Sequence, residues 1–265
     1  MGRIGWLTDI HLNFLSEPER RRFYDSLHAA MLDAVLIGGD IGVAGSVELY
    51  LAEMEACLAV PIYFVLGNHD FYGGSIAAVR QRVRRQAAGA RRLHWLSEAG
   101  VIKLSETTAL VGHDSWGDGR FGDHFRSDVL LNDFFLIEEL RGLDKWELLA
   151  RLNALGDEAA RHLGRVLPEA LESFSHVIVL THVPPFKEAC WHEGRISSDD
   201  YLPYFASRAV GEALLAAIEA RPDRRLTVLC GHTHSPGVAQ VRTNLVVYTG
   251  GAEYGRPVIQ QMLEV

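Results

Sequence analysis

Short runs of four or five apolar residues, rich in Val, Ile and Leu, alternate along the chain with longer stretches whose apolar positions recur every three or four residues. The short runs predict strands over residues 4–8, 34–37, 62–66, 109–112, 177–180, 226–229 and 245–248. Continuous rather than alternating apolarity is what a strand covered on both faces requires. The longer stretches predict helices. Phe23, Leu27 and Met31 are spaced by four, and Val47, Leu51, Met54 and Leu58 form one stripe. A further pattern runs from about Lys145 to Leu171, and Val210, Leu214 and Ile218 mark another. Such stripes are read as faces packed on a sheet. Strands alternating with helices imply an α/β fold. Two stretches fit poorly: 114–133, rich in Gly, Asp and aromatics, and 184–203. Long irregular segments in compact domains are often functional, and these two are expected to shape a substrate site.

Composition narrows the class. With 265 residues, no internal repeat and no polar linker, one domain over 1–265 is expected. Hydrophobic residues make up 48% of the chain, enough for a substantial core in a soluble globular protein. Nowhere do eighteen apolar residues run together, which argues against a membrane span. Ligand-type residues begin by position 9, leaving no room for a removable signal peptide, so a cytoplasmic location is expected. Cys57, Cys190 and Cys230 are far apart and in no C-x-x-C arrangement, which reads as free thiols in a reducing compartment. A net charge of −8 disfavours an extended nucleic-acid surface, although a bound metal can supply local positive charge.

The strand ends carry residues of another kind. Residues 4–8 run into Asp9-Ile10-His11, 34–37 into Gly38-Gly39-Asp40, and 62–66 into Gly67-Asn68-His69-Asp70. Residues 177–180 are followed by Thr181-His182, and 226–229 by Cys230-Gly231-His232-Thr233-His234. In open α/β sheets ligands bind beyond the carboxyl ends of the strands. A lone Asp after a strand is ordinarily a turn or cap residue. Five strand ends that together deliver Asp, Asn and His have no such structural explanation. His11 and His234 stand two residues from Asp9 and His232, a spacing at which extended backbone points both side chains one way. Gly38, Gly39, Gly67 and Gly231 allow tight turns and close approach of backbone to a metal or substrate.

The blocks Asp9-x-His11, Gly39-Asp40, Gly67-Asn68-His69-Asp70, His182 and Gly231-His232-x-His234 resemble, complete and in order, the signature of the calcineurin-like metallophosphoesterases. That resemblance implies a four-layer αββα sandwich, with two stacked mixed β-sheets flanked by helices and the site at one edge in the strand-end loops. It implies that Asp9, His11, Asp40 and His234 hold one metal ion. Asp40, Asn68, His182 and His232 would hold the other, with Asp40 bridging. Two cations ~3.5–4 Å apart are expected of such a pair. Mixed N and O donors without thiolate suit divalent or trivalent Mn, Fe or Zn. A metal-activated water would attack phosphorus in line. His69, positioned by Asp70, would donate a proton to the leaving group, a contribution of roughly 10²–10⁴-fold.

The strand over 109–112 ends in His113-Asp114, and the loop beyond it carries Trp116, Asp118, Arg120, Phe121, His124 and Arg126. His113, Asp114, Arg120 and Arg126 are expected to form a substrate wall, with arginine binding phosphate. Trp191, His192 and Arg195 stand where they could reach the pocket but are read first as structural or exposed, and Arg20, Arg21 and Arg22 are expected to form a solvated helix face. Together these features point to a hydrolase of small phosphomonoesters or phosphodiesters. The acidic balance and the lack of a basic stripe disfavour a nuclease. The intact ligand set and His69 disfavour a non-catalytic interaction scaffold of the same fold.

Overall fold

The computed structural model describes residues 2–265. The chain opens with β1 (Arg3–Leu7), α1 (Glu17–Ala29), β2 (Ala34–Gly38), α2 (Val47–Cys57), β3 (Ile62–Val65), α3 (Ile76–Gly89) and β4 (Leu93–Trp95). Then come β5 (Ile102–Lys103), β6 (Thr108–His113), α4 (Asp133–Leu136), α5 (Lys145–Ser173) and β7 (His176–Thr181). A small hairpin of β8 (Trp191–His192) and β9 (Arg195–Ile196) precedes α6 (Leu202–Phe205), α7 (Arg208–Glu219) and β10 (Arg225–Cys230). The last strands are β11 (Gly237–Arg242), β12 (Leu245–Thr249) and β13 (Gln261–Glu264).

Two mixed sheets stack. One has the order β13-β1-β2-β3-β4, the other β11-β12-β10-β7-β6-β5. Their central strands are parallel, and the antiparallel partners β13, β11 and β5 lie at the edges. Period-two alternation sorts each central strand between two cores. In β7, Ile178 and Leu180 meet Trp6, Leu36, Val65, Leu110 and Leu229 between the sheets. Val177 and Val179 face outward, where Leu163 and Leu167 of α5 and Val210 and Leu214 of α7 cover them. On the far side Leu27, Leu51, Met54, Val79 and Val83 from α1, α2 and α3 pack on Val35, Ile37, Ile62 and Phe64. The result is the αββα sandwich that the resemblance implies.

Helix ends follow local chemistry. The Asp144 carboxylate accepts from the Trp146 and Glu147 amides and starts α5, while Ser16 and Glu19 form a reciprocal cap at the start of α1. Met31, expected on the α1 stripe, lies past the helix end at φ 52° with its side chain in solvent. Arg20 also departs from expectation: its guanidinium forms a two-pronged pair with Glu53 and lies over the Tyr50 ring, tying α1 to α2. The two irregular stretches bond to each other. Asp118 N–H donates to the Ala206 carbonyl, Gly119 N–H to Pro203, and the Ser127 hydroxyl to Asp200. They thus form one lobe beside the strand ends. Among the described residues no helix is long and apolar enough to cross a membrane.

Candidate metal centre

All seven expected ligands follow the carboxyl ends of parallel strands: Asp9 and His11 after β1, Asp40 after β2, Asn68 after β3, His182 after β7, and His232 and His234 after β10. The backbone reaches the site by a route the spacing did not indicate. Asp9, His11, Asp40, His232 and His234 have φ of 51°, 40°, 52°, 70° and 58°. These residues are left-handed, not extended, so side chains two apart converge through sharp turns. Left-handed backbone costs a non-glycine residue about 1–2 kcal/mol. The loops that bear it are bonded to one another: Asp9 N–H donates to Gly39 O, His11 N–H to Asp40 O, and His232 N–H to the Asp9 carboxylate. At Gly231 an added Cβ would overlap the Asp9 carboxylate, and at Gly67 it would overlap that of Asp40. Glycine there is a packing requirement.

One donor from each of Asp9, His11, Asp40 and His234 falls in a single cluster, all within 4.8 Å of one another. His11 Nε2 and His234 Nε2 face each other at 3.2 Å, and His234 Nε2 lies 3.5 Å from Asp9 Oδ1. Burial pushes His11 down to about 3, which keeps its ring neutral and its lone pair available. Burial, then the charges of Asp9 and Asp70, pushes Asp40 well above the usual carboxylate range. Burial acts on Asp9 in the same direction, but the His234 hydrogen bond and neighbouring imidazoles outweigh it and hold Asp9 low. A buried site with two crowded carboxylates and facing imidazole nitrogens fits a cation.

The second cluster makes a sharper case. His182 Nδ1 lies 2.8 Å from the Gly38 carbonyl, so that nitrogen carries the proton and Nε2 presents a lone pair. His232 Nε2 lies 3.2 Å from the Tyr204 carbonyl, which leaves the lone pair on Nδ1. Both lone pairs are directed at Asn68 Oδ1, each at 3.0 Å. Asn68 is oriented in turn by its Nδ2, which donates to Asp133 Oδ1 at 2.8 Å. Three acceptors thus converge with no proton among them, an arrangement that a cation relieves. His182 Nε2 is 3.5 Å from Asp40 Oδ1, while His11 Nε2 is 3.7 Å from Asp40 Oδ2. The Asp40 carboxylate therefore faces both clusters with different oxygens, a placement that suits a bridging ligand.

His69 stands beside the clusters. Its Nε2 is 3.9 Å from Asp40 Oδ2, and its ring stacks on Tyr72 at 4.2 Å. Burial pushes it down to about 4. Asp70 does not hold the His69 ring. Its Oδ1 accepts from the Ile41 and Gly42 amides and its Oδ2 from Gly67, so it ties the Asp40 loop to the Asn68 loop. Its orienting role is exerted on backbone, and burial pushes its carboxyl up to about 7.

A cavity of about 210 Å³ opens over the clusters, lined by Asn68, His69, Tyr72, His192, Phe205 and Tyr254 among others. None of the expected substrate residues lines it. His113 is buried, and its Nδ1 accepts from Ser115 N–H. Asp114 is a buried hub that accepts from Leu66 N–H, Trp95 Nε1 and Ser97 Oγ and pairs with Arg80. Arg120 is engaged by Asp118 and Asp157, and Arg126 lies in solvent beside Asp123. His192, expected to be structural or exposed, lines the cavity instead. Asp133, Tyr72 and Tyr254 carry no signal in the sequence that marks them for the site. Asp133 ends the stretch singled out as irregular, but no spacing ties it to Asn68.

The fold and the donor cluster are those expected of a metal-dependent phosphoesterase. The calcineurin-like phosphoesterase family matches residues 2–236, and the chain belongs to that family. Solved structures share the fold at low identity. A phosphopantetheinyl hydrolase from Mycobacterium tuberculosis superposes with a TM-score of 0.65 at 14% identity, covering 94% of this chain and 89% of that one. A dimetal phosphatase from Danio rerio gives 0.57 at 15% identity, covering 94% and 87%. No curated protein sequence matches.

Proposed function

We propose that this chain is a two-metal phosphodiesterase. Asp9, His11, Asp40 and His234 hold one cation, Asp40, Asn68, His182 and His232 the other, and His69, which burial keeps neutral in the empty site, takes up a proton beside the bound phosphate anion and hands it to the leaving alcohol. The preference for diesters is carried by the chemistry of the cavity wall, whose lining residues include no Lys or Arg. A phosphomonoester dianion is ordinarily gripped by guanidinium or ammonium donors in addition to metal. A monoanionic diester needs fewer. The structural neighbours named above include both a phosphopantetheinyl hydrolase and a phosphatase, so fold does not choose between ester classes.

When bound, the cations supply an activated water and offset charge on the phosphoryl oxygens. The chain's own residues do the rest. Asp70 locks the Asp40 and Asn68 loops together through backbone amides. Asp133 turns the Asn68 carbonyl toward the site. Tyr72 supports the His69 ring, which reaches the cavity from the side. The aromatic walls limit water around the reacting phosphorus.

The test is to strip the protein with chelator, restore Mn²⁺, and compare bis-p-nitrophenyl phosphate with p-nitrophenyl phosphate. Turnover should vanish on stripping, return with Mn²⁺, and show the higher kcat/KM on the diester. A higher value on the monoester would overturn the diester assignment, and silence on both with metal bound would overturn the hydrolase itself.

A further inference from the structure

The cavity over the metal clusters holds about 210 Å³, below the roughly 300–1,000 Å³ of pockets that enclose a whole small ligand. It seats a phosphate but does not enclose a whole ester, so part of the organic group lies across the rim. On the side of His11 and His69 that rim is aromatic. The Tyr254 ring centroid is 4.6 Å from that of His11, 5.2 Å from His234 and 6.4 Å from His69. Phe14 extends the surface, its ring 4.6 Å from Tyr254 and tilted by 39°. Both rings face solvent to an unusual degree for such groups, 54% for Phe14 and 47% for Tyr254. Neither is loosely hung. Phe14 sits in the 3-10 turn Leu12–Phe14 that follows His11, and the loop before Tyr254 is pinned by Ala252 N–H donating to the His234 carbonyl.

We propose that Tyr254 and Phe14 form the seat of the leaving alcohol, and that this alcohol carries a flat aromatic group close to its ester oxygen. The inference rests on the phosphodiesterase reading with His69 as proton donor. His69 and Tyr254 both line the cavity with ring centroids 6.4 Å apart, so a group that leaves the phosphate on that side meets the Tyr254 ring first and Phe14 next. No Lys or Arg lines the cavity, which favours an uncharged attached group over a second phosphate. In the reaction the water oxygen bonds to phosphorus and the bond from phosphorus to the seated oxygen breaks. The alcohol departs with the proton from His69, which is regained from the attacking water by way of solvent.

Benzyl methyl phosphate separates binding from reactivity, because its two alcohols are of nearly equal acidity and only the seat distinguishes them. The Mn²⁺-loaded enzyme should release benzyl alcohol over methanol by about tenfold, and Phe14→Ala and Tyr254→Ala should each move the ratio toward one. Tyr254→Phe, which keeps the ring, should keep the ratio. Equal release by the wild type, or a ratio that neither alanine variant moves, would overturn the seat. A second arm does not depend on turnover. Calorimetry should show phenylphosphonate binding the metal-loaded protein about tenfold tighter than methylphosphonate, with the difference lost in both alanine variants. Equal binding would overturn the seat even in an active enzyme. Failure to hydrolyse any diester, with the phosphonate preference intact, would instead overturn the phosphodiesterase reading.

Discussion

Asparagine ligates a hard cation through its carbonyl oxygen only, and at Asn68 the face presented is decided by Asp133. A carboxylate accepts and cannot donate, so it selects the amide nitrogen and turns Oδ1 toward His182 and His232. The Tyr72 hydroxyl donates to the same Asp133 oxygen at 2.6 Å and steadies it. Asp133→Ala should weaken binding at the Asn68 cluster by about 10–100-fold while the Asp9 cluster keeps its ion, as read by metal titration. Asp133→Asn, equal in size but able to donate, should be intermediate. Two unchanged affinities in the alanine variant would remove Asp133 from this role. His69→Ala should leave both metals bound and lower turnover by roughly 10²–10⁴-fold on alkyl diesters, less on p-nitrophenyl esters whose leaving group needs little acid. An equal loss on both would speak against proton donation. The convergence of the seven proposed ligands was legible because each follows an apolar run. Asp133 was not, because its partner lies 65 residues away and contact across such a distance leaves no periodicity. His113 and Asp114 repeat the strand-end pattern yet turn inward, since Asp114 has Leu66, Trp95, Ser97 and Arg80 to satisfy it.

At the scale of elements, the runs buried on both faces were readable and the rest were not. β1, β2, β3, β6, β7, β10 and β12 all fall on predicted strands within a residue or two. The edge strands β4, β5, β8, β9, β11 and β13 escaped prediction, β4 because it is only three residues long. In the others exposed and half-buried positions predominate, as in β13 where most side chains face solvent. Half of their backbone bonding is also absent, so neither signal reaches the length that periodicity needs. α3 was hidden differently: its stripe is only Ile76, Val79 and Val83 within an arginine-rich segment. Its start is capped from a distance, Glu139 accepting from the Ile76 and Ala77 amides. The left-handed backbone of the expected ligand residues could not be read at all. A strand that ends in such a residue sends the chain sharply aside, and the side chain is left at the strand mouth.

Across the whole molecule, the site draws on both sheets. β1, β2 and β3 bring Asp9, His11, Asp40 and Asn68, while β7 and β10 bring His182, His232 and His234. Their separation is set by the layer of Trp6, Leu36, Val65, Ile178, Leu180 and Leu229 between the sheets. Away from the metals, burial pushes His113 down to about 3 and His176 to about 4. Unfolded histidine titrates near 6.5, so between there and those values the unfolded chain binds protons that the folded one does not. The stability contributed by these two groups should be full above pH 6.5 and fall as pH drops toward 3–4, while the raised carboxyls of Asp40 and Asp70 act in the opposite sense. For buried His113 the slope approaches about 1.4 kcal/mol per pH unit. The His113 share is read as a difference: urea unfolding of metal-free protein at pH 7.5 and 5 should show a smaller loss, or a larger gain, on acidification in His113→Asn than in the wild type. An identical change in that variant would show that His113 does not titrate on unfolding.

The family likeness ends at residue 236, but the architecture does not. β11 and β12 complete one sheet, β13 closes the other against β1, and Tyr254 lies between them in the chain. A gene fragment trimmed to the recognisable motif would keep every proposed metal ligand, yet strip β11 and β12 from one sheet and β13 from the other, uncovering the flanks of the strands that lead to His232 and Asp9. Such a fragment would present open strand edges to other copies of itself and would be expected to aggregate. Expression boundaries for this protein are therefore set by sheet closure, some thirty residues beyond the motif.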